Sequence, residues 1–149
     1  MAKIIQHNFF YSHPQEVVWD YLTKPELIAQ WLMPNDFAPI VGHEFQLKAG
    51  PMPSMNFDGI FHCKVLEVSP FETLSYSWKF GPGDGTLTDS VVIWTLSEKD
   101  NGTELLLVHR GFHGANFMAM FDSMTDGWAQ LVKKLLKVMG EATNGTAQA

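Results

Sequence analysis

One segment decides the fold of this 149-residue chain: TLSYSWKF, residues 73–80. Apolar and polar side chains alternate along it without a break, which is the period of a β-strand that buries one face and solvates the other. A second segment, HEFQLKA at residues 43–49, repeats this alternation. Two such strands need an apolar layer against their buried faces, so the sequence predicts an antiparallel sheet that is covered on one side.

Four more strands are predicted around this pair, over residues 3–11, 57–68, 87–97 and 103–112. Turn-forming Pro, Gly and Asn residues separate the later strands, as they do in hairpins. The glycine-rich loop at residues 81–85 joins two strands, whereas a phosphate-binding loop precedes a helix. Phosphate binding is therefore not predicted there.

Helices are predicted on both sides of this strand-rich region. Residues 12–16, SHPQE, and 23–26, TKPE, each combine a cap candidate, an early proline and an acid, which predicts two short helices. From Asn116 to Met139 apolar residues recur at helical spacing and predict one long amphipathic helix. Gly127 within it costs about 1 kcal/mol relative to Ala, which we attribute to close backbone approach. Residues 1–139 are expected to form a single domain and residues 140–149 a disordered tail.

The composition restricts the possible partners. A net charge of −6 disfavours nucleic acid, because an acidic surface repels phosphate groups. Cys63 is the only cysteine, so no internal disulfide can form and a reducing compartment is expected. The sequence shows neither a signal peptide nor a membrane span, and we expect the protein in the cytoplasm.

Several segments together resemble one known family. They are PQEVVW and PELIAQW at residues 14–19 and 25–31, VGHEF at 41–45, VLEVSP through LSYSW at 65–78, TELLLVHRGF at 103–112, and Gly127-Trp128. In this order and spacing they resemble the START-like superfamily, and within it the homologues of the activator of the heat-shock-protein-90 ATPase. The resemblance covers about residue 5 to about residue 138, nearly the whole chain.

This resemblance implies a helix-grip fold of the α+β class. In that fold a curled antiparallel sheet holds one long C-terminal helix, two short helices follow the first strand, and a deep cavity lies between sheet and helix. The superfamily includes lipid carriers, hormone receptors and polyketide cyclases. The chaperone activator has an additional N-terminal domain that contacts the chaperone, and this sequence has no counterpart of it, so chaperone activation is an alternative rather than the first expectation.

We expect the cavity to hold a small hydrophobic or aromatic molecule. Residues 52–56, MPSMN, are interpreted either as its gate or as an exposed patch for a homodimer, and the loop at residues 81–85 as its lip. For each predicted lining residue the alternative is ordinary core packing. The predicted lining is Trp31, Phe45, Leu47, Tyr76, Trp78, Trp94, His109, Phe121, Met124 and Trp128.

Little in the sequence favours catalysis. His109 has the strand parity of inward-pointing leucines, so it is interpreted as a ligand anchor, as a general base acting with Tyr76, or as a core histidine bonded to its neighbours. His109 and His113 are separated by three residues that include Gly111, so their rings need not converge. Neither a metal site nor a cofactor is predicted. Cys63 is interpreted as a small core residue.

Three functions follow, in order of preference. The first is binding of a small hydrophobic or aromatic ligand, because apolar linings with few polar groups are typical of ligand pockets. The second is a co-chaperone-like interaction module. The third is an enzyme of the cyclase or dehydratase type that uses His109.

Overall fold

A computed structural model of the chain describes residues 3–55, 57–113 and 118–142. Six strands and three α-helices account for most of them, together with a short 3-10 turn at Pro53–Met55. In chain order the elements are β1 Ile5–Tyr11, α1 Gln15–Thr23, α2 Pro25–Trp31, β2 Glu44–Lys48, β3 Ile60–Ser69, β4 Thr73–Lys79, β5 Asp89–Lys99, β6 Gly102–His113 and α3 Met118–Ala142.

The strands form one sheet in the order β1-β6-β5-β4-β3-β2, and every neighbouring pair is antiparallel. Register shifts in the pairings of β3 with β4 and of β5 with β6 mark bulges, which bend strands and help a sheet to curl. The predicted α+β class, with a curled sheet, two short helices after the first strand and a long C-terminal helix, is confirmed.

The sheet buries the face that the alternation predicted. Leu74, Tyr76 and Trp78 of β4 are buried, and Phe45 and Leu47 of β2 lie on the same side. Polar and charged residues such as those at positions 44, 64 and 79 lie on the opposite, exposed face. The helices cover the apolar face and complete a single core.

Hydrogen bonds attach α3 to the β1 edge of the sheet. The hydroxyl of Tyr11 donates to the carbonyl oxygen of Val132 at 2.8 Å, and Nε2 of His7 donates to that of Thr125 at 3.2 Å. Both strand residues point inward, because β-strand side chains alternate between faces. The helix is therefore fixed over β1, at the end of the sheet opposite β2 and β3.

The predicted helix ends need correction. Helix α1 begins after its N-cap residue Pro14, whose ring fixes φ, and no side chain caps the helix. Thr23 does not cap α2; its hydroxyl donates to the carbonyl oxygen of Trp19 in the preceding turn. Helix α3 continues through Gly140 to Ala142. The predicted start at residue 116 and the tail at 143–149 lie outside the described residues.

No helix in the described part of the chain is both long and apolar enough to cross a membrane. Helix α3, the longest, carries Lys133, Lys134 and Lys137 on its exposed side.

Candidate functional site

An apolar cavity of about 150 Å³ lies between the N-terminal half of α3 and the sheet, and it opens to the surface. An engineered cavity of about this volume in another protein takes up benzene. Among the described residues, no charged side chain is part of the wall. The wall is formed by Met33, Ala49, Met52, Phe57, Phe61, Trp78, Met120, Ser123, Met124, Gly127, Trp128 and Leu131.

Helix α3 forms one wall of the cavity with residues three or four positions apart. Met120, Met124 and Leu131 supply apolar side chains, and Ser123 and Gly127 supply almost none. A Cβ atom built on Gly127 meets no atom within 4 Å. The close backbone approach expected at Gly127 is therefore wrong, and the missing side chain leaves open space instead.

The segment 49–59 closes a second side. Met52 and Phe57 exchange two backbone hydrogen bonds, and the Ala49 amide donates to the Gly59 carbonyl oxygen at 2.7 Å. Gly59 has φ +96, and a Cβ there would lie 2.9 Å from the backbone nitrogen of Pro51, so only glycine fits this close approach. Met52 reaches the cavity wall, as the gate interpretation requires; residue 56 lies outside the described part of the chain.

Aromatic rings form the base of the cavity. The Trp78 ring centroid lies 4.4 Å from that of Phe61 and 5.3 Å from that of Trp128. Trp128 also contacts Trp94 at 5.4 Å, edge to face. Such ring pairs pack rigidly, so the base is preformed and most adaptability belongs to the methionines.

His109 lies behind this base and is completely buried. Its Nδ1 accepts a hydrogen bond from Nε1 of Trp128 at 3.1 Å, and its Nε2 lies 2.8 Å from Oγ of Ser90. The Ser90 hydroxyl donates to the carbonyl oxygen of Trp78 at 2.6 Å, so Oγ accepts from His109 and the imidazole proton resides on Nε2.

Burial lowers the pKa of His109 to about 3, because the charged form would lose its hydration. The neutral ring makes one bond at each nitrogen and does not line the cavity. This is the arrangement of the third interpretation, a core histidine bonded to its neighbours.

Tyr76 does not reach His109. Val92 of β5 pairs with Tyr76 on one side and with His109 on the other, so the two backbones are about 10 Å apart at the usual strand spacing. The Tyr76 oxygen accepts a hydrogen bond from Nε1 of Trp94 at 2.8 Å, and burial raises the pKa of its hydroxyl. An acid–base pair of these two side chains is not assembled at the cavity.

Three of the ten residues predicted to line the cavity do so: Trp78, Met124 and Trp128. The other seven pack elsewhere in the interior, away from the cavity. Trp31 packs on Trp94, Phe45 on Tyr76, and Phe121 on Phe112. Leu47 and His109 are buried away from the cavity, and no residue of the loop 81–85 reaches it.

Several wall residues were missed. Ser123 and Gly127 carry no apolar signal, so a search for hydrophobic stripes passes over them. Three other wall residues did carry an apolar signal. Phe57 and Phe61 belong to the predicted strand at residues 57–68, and Met120 belongs to the apolar stripe of α3. Residues missed by the prediction are Met33, Ala49, Phe57, Phe61, Met120, Ser123, Gly127 and Leu131.

One residue of the cavity wall, Trp78, has a side-chain donor without a hydrogen-bond partner in the part of the chain that the structure describes. Nε1 of Trp78 is buried and bonds to no group in the described residues. Trp31, Trp94 and Trp128 each donate their indole N–H to an acceptor. An unpaired buried donor costs about 1–3 kcal/mol, so Trp78 is an exception that needs an explanation.

A larger hollow of about 580 Å³ lies on the opposite, solvated face of the sheet. Its wall mixes acids such as Asp36 and Glu44 with Lys64 and Lys79. Opposite charges side by side in water define no net preference for an anion or a cation. Within the described residues no three His, Cys, Asp or Glu side chains are grouped to hold a metal ion.

Comparisons with known proteins agree with this architecture. The model of a family described as "Activator of Hsp90 ATPase homolog 1-like protein" matches residues 12–140. The curated proteins give no match. Protein MLL2253 from Mesorhizobium loti is 34% identical, with a TM-score of 0.81, over 93% of this chain and 98% of that one.

Two further solved structures are similar. Protein BH1534 from Bacillus halodurans is 28% identical, with a TM-score of 0.71, and the match covers 93% of this chain and 99% of that one. CalU16 from Micromonospora echinospora is 25% identical, with a TM-score of 0.73, and the match covers 93% of this chain and 74% of that one.

Proposed function

The chain belongs to the family of Activator of Hsp90 ATPase homolog 1-like proteins, and we propose that it binds a small, neutral, predominantly apolar molecule in the cavity between α3 and the sheet. A pocket with an apolar wall and few polar groups is the usual form of a small-molecule site. The volume of about 150 Å³ corresponds to roughly one aromatic ring, and the opening allows substituents to extend outward.

The single observation that carries this proposal is Gly127. Glycine inside a helix costs about 1 kcal/mol relative to Ala, and at this position a side chain would meet no atom within 4 Å. Neither packing nor backbone conformation therefore requires glycine there. Its effect is to keep the cavity open beside Trp128. The glycine lowers the stability of the folded state, and this loss is offset only if a ligand occupies the space.

A matched pair of helix glycines tests the proposal. Gly140 also lies in α3 and a Cβ there also meets no atom within 4 Å, but it does not line the cavity. Toluene, a one-ring apolar probe, should raise the melting temperature of the wild type by binding the folded state. Gly127→Leu should lose this rise, and Gly140→Leu should keep it.

Two results would contradict the proposal. One is a wild type whose melting temperature and NMR spectrum do not respond saturably to toluene. The other is a folded Gly127→Leu variant that binds toluene as tightly as Gly140→Leu does. The chaperone role in the family description, the homodimer and the cytoplasmic location stay predictions.

A further inference from the structure

The indole N–H of Trp78 is a buried donor without a hydrogen-bond acceptor in the described part of the chain. Trp78 is 1% exposed and its Nε1 has no acceptor in the described residues. The comparable N–H groups of Trp31, Trp94 and Trp128 are all bonded, to a carbonyl oxygen, a hydroxyl and an imidazole respectively. Burying a donor without a partner is unfavourable, and native proteins seldom do so without a compensating role.

The same ring forms part of the cavity wall. Besides Trp78, only two wall side chains of the described residues carry a polar hydrogen, and one of them, Trp128, already donates to His109. The other is the hydroxyl of Ser123. A ligand that enters this space therefore meets an apolar surface and no charge among the described residues, and it contacts the ring of Trp78, whose N–H is buried and unpaired.

The packing around the indole nitrogen excludes water from it, since the atom is buried. Water thus does not satisfy the N–H in the empty state. Met120 and Met124 of α3 line the same cavity, and methionine side chains repack readily because they are unbranched. Because the nitrogen is buried, a ligand can bring its own acceptor to this donor only by displacing side chains of the wall.

Resting on the proposed function, we propose that the cavity selects neutral one-ring ligands that carry a carbonyl or ether oxygen, and that Nε1 of Trp78 donates the hydrogen bond that recognises this oxygen. The ring of the ligand contacts the apolar wall and supplies most of the affinity. The oxygen contributes specificity, because a ligand without it leaves the N–H unpaired while a ligand with it does not. Charged ligands are disfavoured, because no wall residue in the described part of the chain carries a charge that would offset the loss of their hydration.

Acetophenone and α-methylstyrene form a suitable probe pair. They have nearly the same shape, but the carbonyl oxygen of the first is a methylene group in the second. The ketone gives up more hydration on binding, so absolute affinities are not the readout. The readout is the ratio of the two dissociation constants, measured by NMR titration in the wild type, in Trp78→Phe and in Trp19→Phe. Trp19 packs on Phe71 outside the cavity and controls for loss of an indole.

The preference for acetophenone should fall by about tenfold in Trp78→Phe, the size of one hydrogen bond, and stay unchanged in Trp19→Phe. In the wild type, acetophenone should move the Trp78 indole proton resonance downfield, and α-methylstyrene should not. This second measurement needs no variant, so it decides the matter even if Trp78→Phe does not fold.

Equal preferences in the wild type and Trp78→Phe, or an indole resonance that responds alike to both probes, would overturn the role of Trp78 and leave the proposed function standing. Failure of both probes to bind the wild type would overturn both.

Discussion

Nε1 of Trp128 lies 3.1 Å from Nδ1 of His109. The bond joins α3 to β6, and Ser90 on β5 extends it to the Trp78 carbonyl oxygen on β4. Trp78 and Trp128 are both part of the cavity wall. This series of hydrogen bonds therefore holds both residues in place from the side that faces away from the cavity. His109 thus positions cavity residues without touching the space that a ligand would occupy.

This position makes the stability of the fold depend on pH. An unfolded-chain histidine has a pKa of about 6.5, and burial lowers the pKa of His109 to about 3. Between these values the unfolded chain binds a proton that the folded chain does not, so the free energy of unfolding decreases as the pH falls. The slope contributed by His109 should approach about 1.4 kcal/mol per pH unit.

Urea unfolding at several pH values between about 7.5 and about 4 checks this slope. His109→Gln should be less stable than the wild type at neutral pH, and the difference should shrink as the pH falls. Ser90→Ala keeps the buried histidine and should lose a similar amount of stability at every pH. Parallel pH profiles for the wild type and His109→Gln would contradict the prediction.

Removal of the Tyr11 hydroxyl tests whether its hydrogen bond anchors α3 to the sheet. The Tyr11 hydroxyl donates to the Val132 carbonyl oxygen and is buried, so Tyr11→Phe should lower the free energy of unfolding by about 1 kcal/mol. Tyr21 has no such side-chain bond to α3, and Tyr21→Phe is the matched control. Chemical denaturation of both variants measures the difference. Equal stabilities would show that this bond does not anchor the helix.

Much of the fold could be predicted because its signals are local. Strict alternation defines β4, and the apolar stripe defines α3. The position of α3 along the sheet depends instead on bonds such as those of His7 and Tyr11, which join residues 118 and 121 positions apart. Helical spacing showed that Trp31 faces inward and strand parity showed the same for Trp94. Neither pattern contained information on which inward-facing residues α3 would leave uncovered. For that reason most of the cavity wall was not predicted, although the family resemblance implied the cavity itself.

Cys63 should be inert in the folded protein. It is buried in β3, and desolvation, followed by the charge of Asp36, raises the pKa of its thiol. A disulfide reagent attacks the thiolate, which is both scarce and inaccessible here. Colorimetric titration at neutral pH should therefore detect no thiol in the native protein and one thiol in concentrated urea. Rapid reaction of one thiol in the native protein would contradict this burial.

The turn between β3 and β4 leads us to expect that glycine at position 71 stabilises the protein more than alanine does. Glu72 donates its amide hydrogen to the Ser69 carbonyl oxygen at 2.9 Å, and Phe71 at the third turn position has φ +70. This left-handed conformation costs a side-chain-bearing residue about 1–2 kcal/mol and costs glycine little. Phe71 offsets part of the strain by packing on Trp19, with ring centroids 6.2 Å apart.

Phe71→Ala loses the ring contact and keeps the strain, whereas Phe71→Gly loses both. The glycine variant should therefore be more stable than the alanine variant by about 1 kcal/mol, the reverse of the usual order. Leu87 is exposed and lacks a positive φ, so Leu87→Ala should be at least as stable as Leu87→Gly. Urea midpoints of the four variants make the comparison. A more stable alanine at position 71 would mean that the turn relaxes out of the left-handed region once the phenyl ring is removed.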